Sequence, residues 1–550
     1  MQTKFRNKSL RHLLMSLVVL SVPAWAHPKL ASGLEKLSPT AQADVIVQFN
    51  RLADAALHQK VKKLGGKLRL TLDVIHAGAY TIPANRLEQL ANDASVLRIS
   101  PDFQVKSAMQ NAVPAVNATA AWTANLTGSG IGIAIIDSGV SAHFDLARDK
   151  GNPNDQRIVY QENFVPGETT TADLLGHGTH VAGIAGGTGR FSKKDEYRGI
   201  APGVNLINLR VLNRNGEGTD SAVIAAINRA IALRTTYNIR VINLSLGRPV
   251  VQSYKTDPLC LAVEAAWKAG IVVVAAAGNE GRNNTKGTNG YGTITAPGND
   301  PFVITVGAMK TADTPVRTDD TVASYSSKGP TMVDRIMKPD LVAPGNQIIS
   351  LASFNTLLFN GYPANQKNGA SGQKGYFVSS GTSMAAPMVS AAAAILLSRT
   401  PSLTPNQVKG ILMRTAYKTF PIVSFTTDKA TGQAFTSYYD AFTIGAGYLD
   451  IAAALANTVP FTGTALSPVA KYDRLSKRIL PQCVAGTVCG SGSMWDSGSM
   501  WDSGSLWDSG SLWDSGSMWD SGSLWDSGSM WDSAAPTVGK VTTLVNGEPN

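Results

Sequence analysis

Five short apolar runs constrain this chain more than anything else in it. They are GIGIAIID (Gly130 to Asp137), NLINLRVL (Asn205 to Leu212), RVINLSLG (Arg240 to Gly247), IVVVAAAGN (Ile271 to Asn279) and FVITVGAM (Phe302 to Met309). Ala- and Val-rich stretches with helical spacing separate them. A strand with water on one face alternates apolar and polar residues. An unbroken apolar strand is covered on both faces. Residues 111–457 are therefore expected to form an α/β domain, a parallel sheet between two layers of helices. Such sheets place their sites beyond the C-terminal ends of the strands, so reactive residues should follow the runs directly.

Four residues stand out, two directly after such runs and two at the start of helices. Asp137 ends the first run, where surrounding backbone can hold a carboxylate; a strand-end turn would use an Asp as readily. His177 lies in LLGHGTHVAGIAGG, a tight loop entering a helix of small residues. His180 is three residues on, but no HExxH-type Glu and no third ligand accompany the pair. One imidazole suffices for general base work, so His180 is read as structural. Ser383, in SSGTSMAAPMVSAAAAILL, stands at a helix N-terminus, where the dipole favours developing negative charge. Taken singly, it also fits an N-cap. Asn279 follows IVVVAAAG and can offer an amide N–H to an oxyanion, although a turn Asn would look the same.

Together a carboxylate, an imidazole, a hydroxyl and an amide donor make a nucleophilic site. The surrounding motifs are IIDSGV, HGTHVAG, LRVLN with Gly216 and Gly218, NLSLG, AAAGNEG, KPDLVAPG and GTSMAAP. In these the chain resembles the subtilisin-like serine proteases over about residues 111–455, with Asp, His, Asn and Ser in that family's order. The resemblance implies a three-layer subtilisin-like domain and an Asp137–His177–Ser383 triad, with Asn279 and the Ser383 backbone N–H as oxyanion donors. It also implies an extended substrate between Leu244–Gly247 and the segment of Gly216 and Gly218. Ser245, Leu246 and Gly247 with Ala276, Ala277 and Gly278 would wall the first pocket. Thr295 would stand at its base and narrow it toward small or medium apolar side chains. The chemistry so implied needs no cofactor. Asp145, in HFDL, resembles a calcium ligand of the family, but the loop TGRFSKKDEYRG is basic and has no cluster of acidic or amide ligands. No metal site is carried over, and a structural calcium stays open.

The flanks differ in kind. A basic start, a short apolar run from Leu13 to Val22 and Ala24-Trp25-Ala26 read as a secretory signal at 1–26. Residues 27–110 follow a β-α-β-β-α-β order, a small ferredoxin-like α+β unit. They resemble the inhibitory propeptides of the same family, which would make them an intramolecular inhibitor removed near residues 105–115. Residues 458–490 read as an irregular linker, and 534–550 as a tail.

Between linker and tail, residues 491–533 repeat Trp-Asp-Ser-Gly-Ser units with a period of six. An extended strand would carry every Trp on one face, about 20 Å apart. The period permits a stacked β-structure of hexapeptide coils, but Gly and Ser dominate and few other apolar residues could build a core, so disorder or loose order is the favoured expectation. Spaced indoles suit contact with a polysaccharide, an envelope or a partner.

The three cysteines allow one small loop, between Cys483 and Cys489, and leave Cys260 as a buried thiol. The net charge of +10 gathers toward the N-terminal segments while the repeats are acidic, which argues against a nucleic-acid partner. The expected protein is a secreted, self-processed endopeptidase acting on proteins or peptides. The alternative is an inactive secreted or surface binding protein that works through its Trp repeats.

Overall fold

A computed structural model describes residues 27–482, except 31–33, 35–36, 73–75, 102–107, 150–151, 286, 429–431 and 474–477, together with residues 547–548. The expected signal, Cys483, Cys489 and the repeats lie outside the described residues. The chain divides into two compact units, 1–105 and 106–550.

In the first unit, strand β1 (Gln42–Phe49) leads to helix α1 (Ala55–Lys63), and β2 (Lys67–Leu72) and β3 (Ala77–Pro83) follow. Helix α2 (Leu87–Ala91) and strand β4 (Val96–Pro101) complete it. The sheet order is β2-β3-β1-β4, antiparallel at every pair. Strand β1 alternates, burying Val45, Val47 and Phe49 in one core with Leu57 and Val61 of α1. Asp54 starts α1 by accepting the Leu57 N–H at 2.9 Å, which satisfies one of the orphan donors of a helix start.

The second unit is built on strands β5 (Gly132–Asp137), β6 (Ile158–Asn163), β7 (Asn205–Arg210) and β8 (Ile239–Leu244). Strands β9 (Val272–Ala276), β10 (Ile304–Lys310), β11 (Thr321–Val322) and β12 (Leu341–Pro344) complete the sheet. The order is β11-β10-β9-β8-β5-β7-β6, with β12 also paired to β10. All pairs are parallel except β10 with β11. Helices α3 (His177–Gly186) and α6 (Thr382–Arg399) pack on the sheet and on each other. So do α4 (Asp220–Ala232) and α5 (Pro258–Lys268). The result is the three-layer α/β domain expected from the apolar runs. Every residue of β5 is buried, as a strand covered on both faces requires.

Helix α6 is long and apolar enough to cross a membrane by composition, yet it lies in the core of this unit. Its run of Ala lets it come close to the strands around it.

One expectation is corrected. Residues 458–490 are not simply a linker. Val469–Asp473 and Arg478–Gln482 form an antiparallel hairpin. Phe461, Ala465, Ala470 and Ile479 belong to the main core. The anchor is polar. Ser467 Oγ bonds the buried Asp340 carboxylate at 2.5 Å, and Lys409 Nζ donates to the same hydroxyl at 2.9 Å. Short alternating strands among Pro and Gly hid this packing in the sequence.

Candidate active site

Asp137 is the last residue of β5 and fully buried. Its Oδ1 lies 2.8 Å from His177 Nδ1. A carboxylate can only accept here, so Nδ1 carries the proton and Nε2 holds the lone pair. Burial pulls the His177 pKa down, but the charge and hydrogen bond of Asp137 outweigh it and hold the imidazole above its ordinary value. His177 opens α3, which runs very close to β5. A Cβ on Gly178 would fall 2.1 Å from the Gly139 carbonyl oxygen and 3.1 Å from Asp137 Cβ. Only a glycine lets the helix bring its histidine to that carboxylate.

A second carboxylate, which sequence reasoning missed, shapes the loop before His177. Asp173 is buried, and its Oδ1 accepts the Gly176 N–H at 2.7 Å and the Ser138 hydroxyl at 2.8 Å. Its Oδ2 accepts the Thr179 N–H at 2.8 Å. Asp173 thus ties the segment after β5 to the first turn of α3. The signal was an Asp four residues before the histidine, in a loop of otherwise small or apolar residues.

Ser383 stands in the first turn of α6 and is nearly buried. Its Oγ donates to the Ser245 carbonyl at 3.1 Å, and His177 Nε2 makes no hydrogen bond. The structure therefore brings Asp137 and His177 into contact and turns the Ser383 hydroxyl toward β8's extension. Catalytic hydrogen bonds commonly close only when substrate is bound. Ser245 answers with its own hydroxyl, which donates to the Ser383 carbonyl at 2.8 Å. Pro387 explains why that carbonyl needs a donor. It sits inside α6, four residues after Ser383, and has no N–H to give. Behind the pair, Asn243 Nδ2 donates to Ser245 Oγ at 2.9 Å, and Ser390 Oγ donates to Asn243 Oδ1 at 2.8 Å. Asn243 and Ser390 were also missed, because they lie 147 residues apart in sequence.

Asn279 follows β9 and meets the same helix start. Its Oδ1 accepts the Thr382 N–H at 2.9 Å and the Thr382 hydroxyl at 3.1 Å. These two bonds fix the orientation of the Asn279 side-chain amide. Ser245, Leu246 and Gly247 directly follow β8, and Ala276, Ala277 and Gly278 end or follow β9. Thr295 stands between these two segments. A Cβ on Gly247 would lie 2.5 Å from its Oγ1, and one on Gly278 2.8 Å from its Cγ2. Gly216 lies in the loop between β7 and α4, in a turn where its N–H bonds the Asn213 carbonyl at 3.1 Å, and Gly218 comes two residues later.

His180 has a different setting. Its Nε2 faces the carbonyls of Ile348 and Phe377 at 3.1 and 2.9 Å, and burial pushes it down to about 3, so it stays neutral. Cys260 is a buried free thiol whose pKa burial drives up, which keeps it unreactive. The residues around Asp145 do not fit a calcium ion. Its carboxylate accepts from the Phe191 N–H at 2.8 Å, the Tyr376 hydroxyl at 2.5 Å and the Thr188 hydroxyl at 3.3 Å. These neighbours present hydrogen-bond donors to the carboxylate, whereas calcium requires a shell of oxygen acceptors. Among the described residues no group of three or more His, Cys, Asp or Glu could hold a metal.

A carboxylate–imidazole pair beside a helix-start hydroxyl and an oriented amide can perform acyl transfer. Comparison with known proteins agrees in kind. The model of the subtilase family matches residues 128–440. The serine protease AprX of Bacillus subtilis (strain 168) is 36% identical over 68% of this chain and 83% of its own. Subtilisin DY of Bacillus licheniformis is 34% identical over 55% of this chain and 90% of its own. A solved structure described as a cold adapted subtilisin-like serine proteinase is 31% identical, with a TM-score of 0.38 over 53% of this chain and 84% of that one.

Proposed function

This chain belongs to the subtilase family and is a subtilisin-like serine endopeptidase, and from that premise we propose that it cuts peptide bonds through Asp137, His177 and Ser383. The observation that carries the assignment is the 2.8 Å bond between buried Asp137 and the opening residue of α3. It leaves Nε2 as the one basic nitrogen of a histidine held above its ordinary pKa.

The steps follow from these atoms. Substrate displaces the Ser383 hydroxyl from the Ser245 carbonyl, and His177 Nε2 takes its proton as Oγ attacks the scissile carbonyl carbon. Asp137 stabilises the imidazolium. The Asn279 amide and the Ser383 backbone N–H receive the oxyanion, with the N-terminus of α6 adding its dipole. The imidazolium then gives its proton to the leaving amine, and the acyl-enzyme remains on Ser383. Water, activated by the same imidazole, releases the acid. Substrate lies extended along Ser245 to Gly247 and the segment of Gly216 and Gly218. Ala276 to Gly278 wall the first pocket, and Thr295 narrows it against large side chains. No cofactor enters these steps.

The chain is read as made for export, with a signal at 1–26 and a self-removed inhibitory unit at 27–110. The β-α-β-β-α-β order of that unit supports this reading. The repeats at 491–533 are read as an attachment device for an envelope, polysaccharide or partner, separate from catalysis.

The test is expression in secreted form of the chain and of Ser383→Ala. Casein cleavage and a shortened N-terminus are expected for the first and absent for the second. Full-length, inactive product from both would sink the proposal. A fluorophosphonate label that survives Ser383→Ala would put the nucleophile elsewhere.

A further inference from the structure

Residues 547–548 are seated in the second unit against Arg282, Ser324 and Asn346, more than 200 positions earlier in sequence. The Glu548 side chain is fully buried. Its Oε1 accepts from Arg282 Nη2 at 2.8 Å, from the Ser324 N–H at 2.9 Å and from the Ser324 hydroxyl. Its Oε2 faces the Lys310 ammonium at 3.5 Å. The backbone is read as well. The Glu548 N–H donates to Asn346 Oδ1 at 2.9 Å, Asn346 Nδ2 returns a bond to the Glu548 carbonyl at 2.9 Å, and Gln347 Nε2 donates to the same carbonyl.

The preceding position is read by shape. Gly547 adopts φ +57°, and a Cβ there would fall 2.1 Å from Ser380 Oγ and 2.6 Å from Asn346 Oδ1. The seat therefore selects a glycine followed by an acid. It is also built into the active region. Arg282 comes three residues after Asn279, and Ser380 three before Ser383.

We propose that this is a recognition site for a Gly–Glu peptide segment, held in cis by the chain's own residues 547–548. Arg282, Ser324 and Lys310 form a two-sided carboxylate clamp, and without an acid the buried Ser324 N–H would lose its acceptor while Arg282 would keep only Asp428 as a carboxylate partner. The seated pair fills the clamp.

The test uses full-length chains inactivated with a serine-directed phosphonate and a fluorescent peptide Leu-Val-Asn-Gly-Glu-Pro-Asn. The Glu548→Ala chain, whose site lacks its resident carboxylate, should bind the peptide by anisotropy. The wild-type chain should bind it about tenfold or more weakly, and so should Glu548→Ala when the peptide carries Gln for Glu. Three results would overturn the proposal: no binding to a Glu548→Ala chain that cleaved casein normally before inactivation, equal binding of the Glu and Gln peptides, or equal binding by wild type. If Glu548→Ala does not fold, amide exchange on the wild type decides. The Ser324 and Glu548 amides should be protected, and exchange at open-chain rates at both would refute the site.

Discussion

Ser245 and Ser383 exchange hydrogen bonds: the Ser383 hydroxyl donates to the Ser245 carbonyl at 3.1 Å, and the Ser245 hydroxyl donates to the Ser383 carbonyl at 2.8 Å. The second bond exists because Pro387 withholds the helical N–H that would otherwise take that carbonyl. A proline normally costs a helix about 3 kcal/mol. Here it frees an acceptor by which β8's extension holds the start of α6.

Pro387→Ala tests this directly. The alanine N–H would compete with Ser245 Oγ for the Ser383 carbonyl and draw the first turn of α6 toward regular geometry. We expect kcat to fall about tenfold, the worth of one well-placed hydrogen bond. The urea midpoint should not fall, because the helix gains a bond. A lower midpoint with unchanged kcat would contradict the account.

The pH profile of kcat/KM should carry an acid limb set by His177. The reaction needs Nε2 unprotonated, and Asp137 holds the imidazole above its ordinary value. Activity should therefore be lost on acidification at a pH higher than a free histidine would give, and retained above it. Asp137→Asn should lower kcat by about 10⁴, the figure for a serine protease triad on another fold. Its residual activity should show the limb moved to lower pH.

Asp173 acts through His177 and not on substrate. Asp173→Asn would turn an amide against at least one of the N–H donors it now serves, at Gly176 or Thr179. A loss of about 2 kcal/mol in transition-state stabilisation is expected, or roughly thirtyfold in kcat, with KM nearly unchanged. A change confined to KM would place Asp173 among substrate contacts.

Asp340 is buried between Lys338, at 2.7 Å, and Lys409, at 3.1 Å. Burial, helped by the neighbouring Lys338 charge, pushes Lys409 down to about 7 even against the pull of Asp340. Asp340→Asn removes the anion from two buried ammonium groups and should cost about 3–5 kcal/mol in urea unfolding. Adding Lys409→Met should recover part of that loss. If the double variant is no more stable than the single, the pairing is not what Asp340 contributes.

Strands β5, β7, β8, β9 and β10 and their ends were legible because each announces itself as a local apolar run, whereas β6 is partly polar and β11 and β12 are very short and were not read. Asp137 and Asn279 follow apolar runs, and His177 and Ser383 stand among small residues at helix starts. What stayed hidden depends on distant partners. Asn243 looks like any strand residue until Ser390 and Ser245 are beside it. Residues 469–482 alternate too briefly, among prolines and glycines, to stand out as strands. Glu548 is one acid in a polar stretch, and its meaning comes from Arg282 and Ser324, more than 200 residues earlier.

The clasp formed by Ser467 with Asp340 and Lys409 bears on how this chain can be trimmed. A cut at residue 457, where the family-like motifs stop, would strip Phe461, Ala465, Ala470 and Ile479 from the core and bare a buried carboxylate with its two ammonium groups. The shortest stable protease therefore ends no earlier than Gln482, and in a library of shortened chains those ending before that residue should be insoluble.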